Sequence, residues 1–172
     1  VNFILAVGGG SVLDGTKFIS AAIPFEGGNE WENIVLSKNK YKVATPFGAV
    51  LTLPATGSEM NSGGVISRAE THEKYGMGGP LLFPQFSILD PTTTYSLPKS
   101  QLANGLADAF THVMEQYLTY PANALIQDKF AEGVLKTLIE IAPKVMQDST
   151  DYDTMSNFMW AATVALNGWI SV

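Results

Sequence analysis

Five apolar residues, Phe3-Ile-Leu-Ala-Val7, run directly into Gly8-Gly9-Gly10-Ser11, and a helical pattern follows as far as Pro24. A short continuous apolar run ending in glycine is the signature of a strand buried on both faces of a parallel sheet. Ser11 is placed to cap the following helix, with Asp14 at its third position and Phe18, Ile19 and Ala22 as apolar positions. The same spelling suits an anion. Residues without Cβ atoms let the backbone approach a phosphate, and the helix that follows offers unpaired N–H groups and the positive end of its dipole. The turn has neither the lysine of a Walker loop nor the G-x-G-x-x-G spacing, which favours a pyrophosphate over a γ-phosphate. A tight strand-to-helix turn without a ligand is the competing explanation.

Further along, Ala49-Val-Leu-Thr-Leu53 is a second buried strand, leading into the hydroxyl-rich turn Pro54-Ala-Thr-Gly-Ser-Glu59. Residues 64–68 and 86–89 are two more strands. The first is followed by a polar turn from Thr71 to Lys74, the second by Asp90-Pro91. Residues 25–42 are polar and irregular, with Trp31 and Ile34 pinning a short helix.

After Pro98 the periodicity changes, and three helical patterns follow with no strand between them. The first, Lys99 to Leu118, aligns Leu102, Leu106, Phe110, Val113 and Tyr117. The second, Ala124 to Gln147, aligns Phe130, Val134, Leu138, Ile141 and Val145, with a kink expected at Pro143. The third, Asp151 to about Ile170, aligns Met155, Phe158, Met159, Ala162, Leu166 and Trp169. The expected organisation is an α/β portion over residues 1–97 and the start of an all-helical domain over residues 98–172.

Composition narrows the chemistry. Net charge is −6 with pI ≈ 4.8 and there is no basic run, which argues against nucleic acid or an anionic membrane surface as partner. The absence of cysteine removes disulfides, thiol catalysis and thiolate-bound zinc. A metal must therefore be held by oxygen and imidazole, a donor set that suits Fe, Zn, Co or Mn. No apolar run reaches the ~18 residues that a membrane span needs, and no leader pattern opens the chain, so a cytoplasmic location is the default. The chain opens inside a strand-like run and stops after an apolar helical one, as an internal fragment would.

The residues that carry chemistry are few. Asp108 and His112, four apart on a helix, share one face, and that spacing supplies two ligands to one divalent metal. A solvated surface pair has the same spacing. Asp14 is placed to reach a ligand over the glycines, or to complement the helix dipole. Thr52, Thr56 and Ser58 put hydroxyls at the end of a strand, where open α/β sheets bind ligands, though turns use hydroxyls too. His72 is expected in an exposed loop, and Glu115 on a helix face as a solvated charge.

Taken in order, Ala6-Val-Gly-Gly-Gly-Ser-Val-Leu-Asp14, Thr52-Leu-Pro-Ala-Thr-Gly-Ser-Glu59, Leu89-Asp-Pro91 and Gly105-Leu-Ala-Asp-Ala-Phe-Thr-His112 resemble the iron-containing (group III) alcohol dehydrogenases. The likeness is strongest to the NAD(P)H-dependent butanol dehydrogenase and aldehyde reductase branch, and it covers essentially the whole chain. It implies a Rossmann-like dinucleotide-binding domain, an all-helical domain, and an active site in the cleft between them. By the same resemblance Gly9, Gly10 and Ser11 match the pyrophosphate positions and Asp14 a position near the nicotinamide. Thr52, Thr56 and Ser58 match the cofactor-lining turn, and Lys74 a lysine near the cofactor. Asp108 and His112 match the first two metal ligands, hence the catalytic pair. The family's two further histidines fall beyond this chain, as does the upstream loop that selects NAD or NADP.

The implied cofactors are NAD(P)H and a divalent metal, Fe(II) first and Zn as the alternative. The implied partners are a small alcohol or aldehyde and a second copy in a homodimer. Two rival readings stand beside this one: a glycerol-dehydrogenase-like polyol oxidoreductase, and a non-catalytic nucleotide-binding or assembly module.

Overall fold

A computed structural model describes residues 1–37 and 41–172 of the 172. The chain divides into two compact units, Val1–Val50 with Ser58–Ile88, and Leu51–Gly57 with Leu89–Val172. The short segment Leu51–Gly57 belongs with the helices, although its first residue ends a strand of the first unit.

In the first unit, β1 (Ile4–Gly8), β2 (Phe47–Leu51) and β5 (Ser87–Ile88) form a three-stranded sheet in the order β1-β2-β5. β2 pairs with β5 in parallel, Ala49 opposite Ser87 and Val50 opposite Ile88. β2 is buried almost throughout, as its unbroken apolar spelling implies. β1 departs from expectation: Ala6 and Gly8 are buried, while Leu5 and Val7 are exposed. Its two faces therefore differ. An apolar run alone does not reveal this, because each alternate side chain points to the opposite face.

Helix α1 (Gly10–Ala22) follows the glycines. Its N-cap is Gly9, in an extended conformation at φ −91° and ψ −167°, with no side-chain cap. Ser11 therefore lies inside the first turn and does not cap it, and Asp14 sits in the second turn. The helix thus starts two residues earlier than expected, with glycine at the cap position and no side-chain oxygen there.

A two-stranded antiparallel sheet, β3 (Gly63–Arg68) with β4 (Glu73–Gly78), completes the unit, in register from Gly63 opposite Gly78 to Arg68 opposite Glu73. β4 was not expected. The polar turn is shorter than the 71–74 stretch assigned to it, and Glu73 and Lys74 begin the returning strand. Two glycines and two charges in Glu73-Lys-Tyr-Gly-Met-Gly78 hide the alternation that normally marks a strand. Trp31–Leu36 forms a single wide π-helical turn around buried Ile34 and Val35. The core of this unit gathers Ala21, Ile34, Val35, Tyr41, Met77 and Leu82. Of the stretch expected to be irregular, residues 38–40 lie outside the described residues.

The second unit is built on α2 (Lys99–Tyr117), α3 (Leu125–Gln147) and α4 (Tyr152–Val164). Leu102, Leu106, Ala109 and Val113 of α2 pack with Leu138, Ile141 and Val145 of α3 and Met155, Phe158 and Ala162 of α4. Pro143 does not interrupt α3, which runs to Gln147. α4 is shorter than its apolar pattern, which continued to Ile170. The helix stops at Val164, and Gly168 takes φ +95°, a backbone that cannot continue a right-handed helix. Asp151 caps α4 through the Thr154 amide at 2.8 Å. Asp90, of the Leu-Asp-Pro motif, caps a 3-10 turn over Pro91–Thr94 through Thr92. No helix among the described residues is long and apolar enough to cross a membrane.

Candidate functional site

The candidate residues fall in both units, and each group has its own geometry. In the first, β1 delivers the chain into Gly9, whose carbonyl accepts from the Val12 and Leu13 amides at 3.1 and 3.2 Å. α1 thus begins with no side-chain cap and no acidic residue in its first turn. Uncapped N–H groups at a helix start, carrying the positive end of the dipole, suit a bound anion such as a pyrophosphate. Ser11 is exposed there and Gly10 buried.

Asp14 turns toward β3. Its Oδ1 accepts from Ser58 Oγ at 2.7 Å and its Oδ2 from the Val65 amide at 2.9 Å. The carboxylate therefore joins α1 to the start of β3 and to the hydroxyl turn, and it does not serve the helix dipole. Ser58 in turn accepts from Lys17 Nζ at 2.8 Å. Lys17 was not singled out from sequence. It is fully buried and also donates to Asn61 Oδ1 and to the Gly63 carbonyl. Burial pushes its ammonium down to about 8, against the pull of Asp14 and Glu59. The available signal was its spacing: Leu13, Lys17 and Ala21 recur every four residues, so the lysine stands on the buried stripe of α1. Lys74 lies on β4 opposite Ser67, and its side chain is exposed.

In the second unit, Thr52 and Thr56 are half-buried in the segment that follows β2. Gly57 adopts φ +60°, and a Cβ there would come within 3.1 Å of the Thr163 carbonyl, so the glycine of this turn is required by both conformation and space. α2 carries Asp108 and His112 on consecutive turns. Asp108 Oδ1 lies 3.8 Å from His112 Nε2, too far for a hydrogen bond. The two donors nonetheless converge. Two ligands about 2.1 Å from a tetrahedral ion stand about 3.4 Å apart, so this separation is close to that of a shared metal.

The His112 side chain is 20% exposed, unlike a solvated surface histidine, and its Nδ1 is buried with no hydrogen-bond partner. Donor chemistry and spacing fit a divalent ion. The set is incomplete: among the described residues no group of three or more His, Asp or Glu could hold a metal. Gln116, also missed from sequence, braces this turn of helix. Its Nε2 donates to the His112 and Ala165 carbonyls, both at 2.7 Å, and its Oε1 accepts from Ser171. Glu115 is exposed, and His72 sits exposed in the β3–β4 turn at φ +55°, both as expected.

Comparison with known proteins decides the ancestry of this arrangement. The iron-containing alcohol dehydrogenase family matches residues 1–91, and the C-terminal region of the Fe-containing alcohol dehydrogenase family matches residues 102–170. The chain belongs to the iron-containing alcohol dehydrogenase family. Among its relatives is the NADPH-dependent aldehyde reductase YqhD of Escherichia coli, 54% identical over 99% of this chain and 44% of the relative. The crystal structure of YqhD superposes with a TM-score of 0.95 over the same share of each chain. The probable NADH-dependent butanol dehydrogenase 1 of Bacillus subtilis is 49% identical over all of this chain and 44% of its own length. The crystal structure of NADH-dependent butanol dehydrogenase A from Thermotoga maritima is 38% identical, with a TM-score of 0.91 over 99% of this chain and 42% of that one. The α/β-then-helical fold class read from the sequence is that of these dehydrogenases. This member of the family spans less than half the length of the relatives it matches.

Proposed function

We propose that this chain is part of a metal-dependent alcohol dehydrogenase or aldehyde reductase that moves a hydride between NAD(P)H and a small aldehyde or primary alcohol. The observation that carries the reading is likeness along the whole chain to an aldehyde reductase and to butanol dehydrogenases. The converging Asp108–His112 pair supports it locally, and the partial burial of His112 weighs against a surface ion pair.

When bound, the metal supplies Lewis acidity to the alcohol or aldehyde oxygen, and the nicotinamide supplies or accepts the hydride. The remaining work belongs to side chains and backbone. Asp108 and His112 would hold the metal, Fe(II) first and Zn as the alternative, together with ligands from outside this chain. Asp108 would also offset part of the cation's charge. Gly9, Gly10 and Ser11 present the uncapped start of α1 to the pyrophosphate. Asp14 and Ser58, tied to each other, meet the cofactor nearer the nicotinamide, with Thr52, Thr56 and Lys74 contributing to its surroundings. Gln116 holds the His112 backbone and so fixes the imidazole's approach.

A steady-state assay of the full-length enzyme tests the proposal. Oxidation of NADH or NADPH that depends on added butanal, and that ceases on chelation and returns with Fe(II) or Zn(II), is the expected result. Turnover of glycerol with no activity toward aldehydes would transfer the chain to the polyol branch.

A further inference from the structure

Lys17 is fully buried, and each of its three ammonium hydrogens has an acceptor: Ser58 Oγ at 2.8 Å, Asn61 Oδ1 at 3.0 Å and the Gly63 carbonyl at 2.6 Å. An ammonium only donates and an ionised carboxylate only accepts. The Ser58 hydroxyl stands between one of each, accepting from Lys17 and donating to Asp14 Oδ1 at 2.7 Å. The two ends of the chain thereby set its direction, from Lys17 through Ser58 to Asp14. The Val65 amide holds the other carboxylate oxygen. Asn61 Oδ1 also accepts from the Gly63 amide, so the lysine gathers the whole 58–63 segment onto α1.

We propose that Lys17 is a positioning residue for dinucleotide binding: by donating to Ser58, Asn61 and Gly63 it holds the Ser58 hydroxyl and the Asp14 carboxylate in the orientation that meets the cofactor. The inference rests on the assignment of Asp14 and Ser58 to the cofactor site. It gives Lys17 no contact with the reacting atoms; the lysine acts through its neighbours.

The arrangement carries its own signature in pH. Burial brings the Lys17 charge to titrate at about 8, with Asp14 of α1 and Glu59 of the adjoining 3-10 turn pulling the other way. From the other elements packed on it, β3 presents the neutral Gly63 carbonyl and β1 has no ionisable residue. Deprotonation removes the charge and one of three donated hydrogens. Cofactor affinity then falls as pH rises through that value, and linkage requires cofactor binding to take up protons over the same range.

The test is titration of the full-length enzyme with NADH and NADPH, followed by nicotinamide fluorescence, from neutral pH to well above the Lys17 titration. Lys17→Met keeps the apolar stem and removes the donors. It is expected to weaken binding roughly tenfold at neutral pH, the loss of a charge-assisted hydrogen bond, and to abolish the pH step. With Ser58→Ala already in place, Lys17→Met should weaken binding by clearly less than it does alone. Lys17→Met binding within about twofold of wild type with the step intact, or losses that simply multiply in the double variant, would overturn the proposal. If Lys17→Met does not fold, Ser58→Ala alone decides. It leaves the lysine two acceptors but cuts its hydrogen-bonded link to Asp14, so the pH step should shrink, and its persistence at full size overturns the proposal. Failure of the wild-type enzyme to bind either dinucleotide is a different result, because it removes the cofactor site itself.

Discussion

Replacing Gly105 by alanine sets two rules of helix energetics against each other. Gly105 is buried inside α2, one turn before Asp108. By helix propensity alone alanine there should stabilise by about 1 kcal/mol. The structure opposes this. A Cβ at Gly105 would stand 2.4 Å from the Pro54 carbonyl oxygen and 3.2 Å from Phe158 Cζ. The first neighbour is backbone and cannot rotate away, so α2 and the Pro54 peptide must part by more than half an ångström. Overpacking of this kind costs about 1–3 kcal/mol, and the unyielding carbonyl places it in the upper part of that range. The expected net loss is about 1–2 kcal/mol, a fall in unfolding midpoint of about 2–8 °C for a chain of this size. Gly133 in α3 is the internal control, because a Cβ there meets nothing within 4 Å. Gly133→Ala should be neutral or raise the midpoint. The assay is thermal unfolding of both variants beside wild type. A Gly105→Ala midpoint at or above wild type would refute the close-approach argument.

Further predictions concern charge and caps. Lys17 has a folded pKa of about 8, below its ordinary value of 10.5, so the unfolded chain binds the extra proton between those limits. The net cost of its charge in the folded state, about 3 kcal/mol, is fully present below the lower limit and disappears as pH rises toward the upper one. Denaturation of wild type should therefore show this gain over that interval, and Lys17→Met should lack it. Asp151 is held below the usual carboxylate range by its bond to the Thr154 hydroxyl and amide. Its contribution is thus present at neutral pH and lost as pH falls through its folded value. Asp151→Ala should lower the midpoint of the helical unit, while Asp151→Asn, which keeps the capping oxygen, should largely preserve it. Gln116→Leu should reduce metal retention, because the His112 and Ala165 carbonyls lose their shared donor; elemental analysis checks this.

What could be read from sequence follows from how each signal arises. The strand–glycine–helix start and the three amphipathic helices announce themselves through periodicity, and the structure contains all of them. β4 was hidden because its glycines and charges carry no alternation. The end of α4 was hidden because apolar residues continue past the turn where Gly168 takes a left-handed backbone. Ser11 yielded the cap to Gly9 because the glycine turn, and not a side chain, sets where α1 begins. The spacing of Asp108 and His112 already places them on one helix face, whereas the burial of His112 Nδ1 depends on tertiary packing. Lys17 and Gln116 were missed for a related reason. A lysine or glutamine in a helix reads as a solvated side chain until its acceptors, which come from elsewhere in the chain, are known. In both cases the missing information was long-range: Ser58 is 41 residues from Lys17, and Ala165 is 49 from Gln116.

As proposed, one turn of α2 lends Asp108 and His112 to a catalytic metal. This is tested most directly by elemental analysis of purified full-length wild type, Asp108→Ala and His112→Ala, with NAD(P)H binding measured on the same preparations. Wild type should carry a bound divalent metal, and both variants should lose it while the dinucleotide still binds. Undiminished metal in both variants would contradict it.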